Sequence, residues 1–498
     1  MMDTPTTLSA LIQGCEAEKL HLSGAIQGFG AMLRVTGTAP FQITHASANL
    51  ADYLGIPPTA LLGQDIKATG CLNAAMLARL GDQPGQSLPL PHLNQVEDKR
   101  VDALLIRSPD GILVEFENSA VGTAPVLIQE LQRPFLHLPY ADEEIAAYHD
   151  NLVKAFALVT GFDRVMLYRF HEDWSGEVIA EATSDALGRY LGLRFPDSDI
   201  PAIARNLYLI NPYRLIPDIH AAAVDILGLA ADPPDLTWSN LRSVAPVHLQ
   251  YLTHMGVGAS FSVPIVIAGK LWGLLACHHL QPRGLSPDQR QASVTLTRAY
   301  SLGLTSHLAS RRLQMIDSLD RRVDGLLERI AQHADPLDGI EHAAPALMDI
   351  VSARGFALVI NDDVVMTADT PEMDCMSRID QWFLARPEPV LASDSMEGLL
   401  APPPGEPCSP SRGILAVKAR SPRSGWVRFY WFRPAEAQEV AWAGNPNKPT
   451  VEHAGALMLS PRRSFEKWVE IKTNQCRPWN NEEKLTASKF RSTLLHWL

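Results

Sequence analysis

The segment Phe195–Pro201 (Phe-Pro-Asp-Ser-Asp-Ile-Pro) constrains this chain more than any other. Proline fixes φ and pushes the residue before it into extended geometry. Pro196 and Pro201 therefore hold a short turn stiffly and present one carboxylate, Asp199, together with its backbone carbonyl, in a fixed direction. Such a turn reads in two ways. It aims polar groups at a bound molecule, or Asp199 is the N-cap of a helix opening at Ile200-Pro201, because Asp is a preferred cap.

The chain has 498 residues, which at ~150 residues each argues for about three domains. It is 46% hydrophobic and 20% charged, an ordinary globular balance. A net charge of −12 disfavours a nucleic-acid surface. No apolar run reaches the ~18 residues that span a bilayer. The start, Met-Met-Asp-Thr-Pro, lacks the basic and apolar regions of a signal peptide. The expectation is a cytoplasmic protein with no nucleic-acid or membrane partner. Cys15, Cys71, Cys277, Cys375, Cys408 and Cys476 form no Cys-x-x-Cys pair, so neither a zinc site nor a disulfide framework is indicated. On a strand, Cys277 and His279 face one way and His278 the other, which argues against a metal site there.

The fold class expected is α+β, with three consecutive antiparallel-sheet domains joined by long helices. Residues 22–130 read as short strands and turns, with strands at 101–106 and 111–118. A helix from Ala141 to Thr160, stopped by Gly161, opens a second domain at 131–308. Its strands 259–267 and 270–278 flank Ala268-Gly269, a two-residue hairpin candidate. Ser286-Pro-Asp-Gln289 starts a helix with an N-cap, a proline at its first position and a capping-box Gln. Within it Ile316, Leu319, Val323, Leu326 and Ile330 form a heptad seam, read either as a dimer spine or as a face packing on its own domain. Residues 309–498 form a third domain. Strands at Trp426–Arg433 and Glu439–Trp442 suggest a long hairpin there. A last helix starts at Asn480 with Glu483 as capping-box partner and reaches Leu498 without a C-cap, which suggests an output module beyond it.

Further motifs accompany the proline-bracketed turn. They are Gly14-Cys-Glu16, His21–Gln27, Gly161–Phe170, Leu241–Ser262, Trp272–His279, Trp442–Pro446 and Pro461–Phe465. In order and spacing they resemble the photosensory core of bacterial phytochromes, from about Gln13 to Leu498. The resemblance implies an N-terminal segment at 1–21, a PAS domain at 22–130, a GAF domain at 131–308 and a PHY domain at 309–498 with a tongue hairpin at about 410–470. It also implies that the N-terminal segment threads a GAF loop as a knot, a rare topology.

By that resemblance the chain is a red/far-red light receptor holding biliverdin IXα, tethered at Cys15. Val247 stands where plant and cyanobacterial relatives carry their cysteine. A bilin needs an acceptor for its pyrrole N–H groups, cations for its propionates, apolar walls and one ring free to rotate. Asp199 and His248 are the candidates at the pyrrole nitrogens. Arg214, Arg242, Ser260 and Ser262 are those for the propionates. Tyr168, Tyr190, Phe195, Tyr208, Tyr251, Met166 and Ile200 are candidate walls, and His278 faces the terminal ring. The unshifted pKa of His248 would lie near working pH. Arg462 would pair with Asp199 at rest, and Ser464 would replace it after light. Two departures stand out: Gly28-Phe29 follows Gln27, and Asp197 adds a carboxylate two residues from Asp199. A homodimer through the GAF and PHY helices and a C-terminal output or response partner are implied. The second reading is a dark PAS–GAF sensor for a heme or nucleotide. No Gly-x-Gly-x-x-Gly or P-loop points to an enzyme, and Gly256-Val-Gly258 is a turn feature.

Overall fold

The computed structural model describes residues 19–119, 128–184, 188–361, 363–396, 411–421, 425–446, 450–453, 456–459 and 462–497. Cys15 and the expected threading of the segment before it lie outside these residues. The chain divides into two units, Met1–His307 with Ala441–Trp468, and Leu308–Val440 with Val469–Leu498. No helix among the described residues is long and apolar enough to cross a membrane.

The first unit contains two sheets. Its early strands are β1 (Ala25–Gln27), β2 (Gly30–Val35), β3 (Ile43–Ser47), β4 (Ser87–Val96), β5 (Lys99–Ser108) and β6 (Gly111–Asn118). After the helix Asp142–Thr160 come β7 (Arg164–Phe170), β8 (Gly176–Thr183) and β9 (Arg194–Phe195). The helix Ala202–Ile210 precedes β10 (Arg214–Ile216) and β11 (Ala223–Gly228), and the helix Pro246–His254 precedes β12 (Ala259–Ile267) and β13 (Lys270–His279). One sheet runs β1-β11-β3-β2-β6-β5-β4, so a strand from the expected second domain completes the sheet of the first. The other runs β10-β12-β13-β7-β8-β9, every ladder antiparallel, and Trp442 adds a parallel pairing to Arg194.

Local sequence explains these boundaries. Gly161 ends the helix Asp142–Thr160 in the left-handed region at φ 63°, where only glycine is unstrained. Ala268 and Gly269 both take positive φ, 49° and 75°, which matches the twist of a two-residue hairpin between β12 and β13. Ser286 and Gln289 close the capping box reciprocally, at 3.0 and 3.2 Å. Cores form on both faces of the second sheet. One holds Phe156, Val165, Leu167, Phe261, Leu275 and Cys277. The other holds Met166, Tyr168, Phe195, Ile216 and Leu274.

The second unit centres on a sheet ordered β15-β14-β18-β17-β16. Its strands are β14 (Gly355–Ile360), β15 (Asp363–Ala368), β16 (Val390–Ser393), β17 (Ser411–Ser421) and β18 (Gly425–Pro434). Asn480 and Glu483 form the expected capping box at 2.8 and 2.9 Å.

Two expectations are corrected here, and one choice left open by the sequence is decided. The strand at Trp426–Arg433 pairs with β17 and β14, not with Glu439–Trp442, because aromatic alternation identifies a strand but not its neighbour. The heptad seam is mostly internal: Val323, Leu326 and Ile330 are buried in the second unit's core, while Ile316 is exposed. A short apolar period is shared by dimer seams and by helices packing on their own sheet. Cys375 is disulfide-bonded, because spacing along the chain does not say which sulfurs the fold brings together.

Candidate binding site

The second sheet presents one face to a cavity of about 290 Å³ in the first unit. Register and the two-residue period select the residues that reach it. Arg214 lies opposite Ser262, Ile216 opposite Ser260, and Ser260 opposite His278. Ala276 lies opposite Ser262 and Met166, and Leu274 opposite Tyr168. All of these side chains line the cavity, while Phe261, Leu275, Cys277 and Leu167 point into the core behind. The opposing wall comes from the proline-bracketed turn, the helix Ala202–Ile210 and the helix Pro246–His254.

The turn is a 3-10 helix at Asp197–Asp199, and Pro201 at φ −63° is the N-cap of the helix that follows. Asp199 is therefore not the cap. Its carboxylate is only 2% exposed and accepts hydrogen bonds from the Arg462 guanidinium and from Tyr251 Oη, the latter at 3.1 Å. Arg462 is equally buried. It also donates to the Ala443 carbonyl and lies over the rings of Phe195 and Phe465. Phe465 meets Tyr251 edge-on at 5.1 Å. The imidazole Nδ1 of His254 is 2.9 Å from the Arg462 carbonyl. Ser464 is exposed, and its hydroxyl faces the Glu466 amide rather than Asp199. Asp197 is exposed, and the Asp199–Arg462 pair forms beside it. Phe29 packs against two cores of the first unit.

The opposite end of the cavity is cationic. The Arg214 guanidinium donates to the carbonyls of Asn240, Arg242 and Ser243, the nearest at 2.5 Å. Arg242 donates to the carbonyls of Leu236 and Thr237. Neither forms a salt bridge among the described residues. Burial and then the charge of Arg242 lower the Arg214 pKa to about 9, and burial lowers that of Arg242 to about 10. One half-buried and one buried cation, hydrogen-bonded only to neutral carbonyls, leave a demand for negative charge. Nearby, the hydroxyls of Ser262 and Tyr208 are 2.8 Å apart.

The two histidines are neutral. The His248 ring is exposed to the cavity, and the protein packed around it followed by the charge of Arg214 pushes its pKa down to about 4. This corrects the expected value near working pH, since desolvation penalises the charged ring. Burial, then Arg164, pushes His278 to about 3. His278 Nδ1 and Tyr168 Oη are buried with no hydrogen-bond partner among the described residues. Orphaned polar atoms on an enclosed wall fit a ligand with polar groups at that end. A bilin fits this donor set, with cations at one end and neutral donors at the other.

Of the expected residues, Asp199, Ile200, His248, His278, Arg214, Arg242, Ser260, Ser262, Tyr168, Phe195, Tyr208, Tyr251 and Met166 line the cavity. Tyr190 does not. It stands behind Phe195, ring centroids 5.6 Å apart, under the Arg164 guanidinium. Sequence reasoning missed Ile203, Leu207 and Met255 on the helices, Ser239, and Leu20 from the N-terminal segment. The i, i+4 spacing of Ile203 with Leu207 could have marked the first two. It also missed Gly176, where an added Cβ would sit 1.8 Å from the Tyr168 ring; glycine makes the room that lets this wall residue lie flat.

Comparison with known proteins gives consistent matches. Residues 15–119 match the PAS fold, 148–303 the GAF domain and 320–498 the phytochrome region. A bacteriophytochrome of Pseudomonas aeruginosa is 33% identical over 99% of this chain and 67% of its own length. A bacteriophytochrome of Xanthomonas campestris pv. campestris is 33% identical over 96% of this chain and 77% of its own. A crystal structure of a bacteriophytochrome from R. palustris has a TM-score of 0.79 at 29% identity, covering 97% of this chain and 98% of that one. The wild-type photosensory core module of the Stigmatella aurantiaca phytochrome has a TM-score of 0.78 at 29% identity, with 97% of each chain covered.

Proposed function

This chain belongs to the bacteriophytochromes and is the photosensory core of a phytochrome light receptor, and from that premise we propose that it holds biliverdin IXα, tethered at Cys15, and switches between red- and far-red-absorbing states. The observation that carries the choice of ligand is the pair of half-buried Arg214 and buried Arg242, held by backbone carbonyls and facing a cavity. Two cations in that setting match the two propionates of a bilin, and Ser260 and Ser262 stand on the same face of β12 to donate to them.

Bound bilin supplies visible-light absorption and a double bond whose isomerisation rotates the terminal ring. The protein holds the surroundings of that ring. His278 and Tyr168 each keep a buried polar atom ready for it. Asp199 holds Arg462, and Arg462 fixes Ala443 and Phe465 against the pocket. Exchange of Arg462 for Ser464 at Asp199 would free that segment and bias the helices beyond, a switch between two local pairings. Cys15 is five residues from Leu20, which lines the cavity; an extended chain of that length spans about 17 Å, so the thiol is within reach. The chain spans about two thirds of the Pseudomonas protein's length. Output activity would belong to a module separate from the photosensory core. A homodimer would use the exposed side of the helix Pro287–Ala331, where Leu302 is 72% and Leu313 65% exposed.

The test is to mix the apo chain with biliverdin, record spectra before and after red light, then denature and look for zinc-induced bilin fluorescence. A red band that converts to far-red, with bilin retained by the wild type and lost from Cys15→Ala, is the expected result. No bound colour would move the function to a dark small-molecule sensor.

A further inference from the structure

One carboxylate whose charge acts on both Arg214 and Arg242 does not come from the domain that forms the pocket. It is Glu115, on β6 of the first sheet. Glu115 is 1% exposed. Its Oε1 accepts from Ser239 Oγ at 2.6 Å, the Asn240 amide at 2.9 Å and the Leu241 amide at 3.3 Å, and its Oε2 accepts from Asn240 Nδ2 at 3.0 Å. Every one of these partners belongs to residues 239–241. That short segment carries the pocket's polar end: Ser239 lines the cavity, and the carbonyl of Asn240 with those of Arg242 and Ser243 holds the Arg214 guanidinium. Burial raises the pKa of this carboxyl above its ordinary value, and the four converging donors pull against that rise.

We propose that Glu115 is a positioning residue for the carboxylate-binding end of the pocket, fixing residues 239–241 so that Arg214 and Arg242 present their guanidinium groups to an anionic ligand. The inference rests on the bilin reading above and adds the first domain's contribution to it. Two residues along the same face of β6, Glu117 holds Arg290 bidentately at 2.7 and 3.0 Å, and Arg290 reaches the hydroxyl of Tyr213, another lining residue, at 3.3 Å. One strand of the first sheet thus braces the polar end of the pocket from two points. This is a physical reason for the first sheet to be built into a receptor whose cavity lies elsewhere.

A bare loss of stability would weaken every ligand alike, so the test compares two. Biliverdin and its dimethyl ester share the ring system and differ only in the two propionate charges. Dissociation constants for both are measured by absorbance with the full chain, for wild type, Glu115→Ala, Glu115→Gln and Ser239→Ala, with circular dichroism checking the fold of each. Wild type should prefer biliverdin over the ester. Glu115→Ala should reduce that preference about tenfold, the loss expected for ~1.4 kcal/mol of charge-assisted positioning. Ser239→Ala, which is the milder change, should reduce it about threefold. Glu115→Gln, which keeps an acceptor oxygen, should recover most of it. An unchanged preference in Glu115→Ala and Ser239→Ala would overturn the inference and leave the bilin reading intact. Glu115→Gln behaving like Glu115→Ala would overturn the positioning role in favour of charge alone. Failure of the wild type to bind either compound would overturn the bilin reading, and the inference with it.

Discussion

The two polar ends of the cavity solve the problem of buried charge in opposite ways. At one end Asp199 and Arg462 neutralise each other, each 2% exposed, while Tyr251 donates a further hydrogen bond to Asp199 and the Ala443 carbonyl accepts one from Arg462. At the other end Arg214 and Arg242 have carbonyl partners but no salt bridge among the described residues. The first end is complete within the protein, so it can lock a conformation and be broken. The second is in charge deficit, so it can select a ligand. A latch and a receptor site therefore sit on one cavity, distinguished by who supplies the counter-charge.

The largest effect should come from breaking the latch. Asp199→Ala leaves Arg462 buried without its partner, which costs about 3–5 kcal/mol when a buried pair is broken. The midpoint of thermal unfolding of the apo protein should fall clearly, and limited proteolysis should cut residues 441–468 sooner. An unchanged midpoint would mean that the two ends are not different in kind. Arg214→Met should do the reverse: a smaller loss of apo stability, because the cation gives up hydrogen bonds to carbonyls but no ion pair, and biliverdin affinity reduced at least about tenfold, the worth of one charge-assisted contact. If Arg214→Met destabilised the apo protein as much as Asp199→Ala, the contrast would collapse.

A smaller effect is expected at Gly176→Ala. Its Cβ would lie 1.8 Å from the Tyr168 ring, so the ring must shift. The bilin absorption band should move while apo stability changes by ~1–3 kcal/mol, the usual range for overpacking. The mildest prediction concerns pH. In the folded protein His248, exposed to the cavity, and His278, buried in its wall, have pKa values of about 4 and about 3, below the ordinary histidine value of 6.5. Between those values and 6.5 the unfolded chain binds more protons, so stability is full above pH 6.5 and declines as pH falls toward 4 and then 3. The apo unfolding midpoint should drop over that window, and His278→Gln should flatten the lower part of the slope. A midpoint independent of pH would show that the rings are hydrated rather than enclosed.

Much of this was legible in local patterns. The capping boxes at Ser286 and Asn480, the hairpin at Ala268-Gly269 and the left-handed stop at Gly161 rest on contacts within a few residues, and each formed as read. The alternation of β12 and β13 placed Ser260, Ser262 and His278 on the cavity side and Cys277 behind it. Ambiguities and errors arose where a pattern had more than one partner. The seam at Val323, Leu326 and Ile330 packs into its own unit, and the strand at Trp426–Arg433 found β17. Tyr190 carried the right chemistry but stands one layer back from the cavity, because aromatic character does not specify depth.

By itself the sequence determined which residues could serve: stiff prolines around Asp199, two arginines, serines in alternation, and a motif order shared with bacterial phytochromes. Only the tertiary structure decided their partners. Asp199 meets Arg462 across 263 positions, and Glu115 meets Ser239 across 124. The neutral state of His278 was likewise decided by enclosure, not by its neighbours in the chain. Local periodicity fixes which way a side chain points, whereas charge pairing and desolvation depend on everything folded around it, and those contacts have no signature within a short window of sequence.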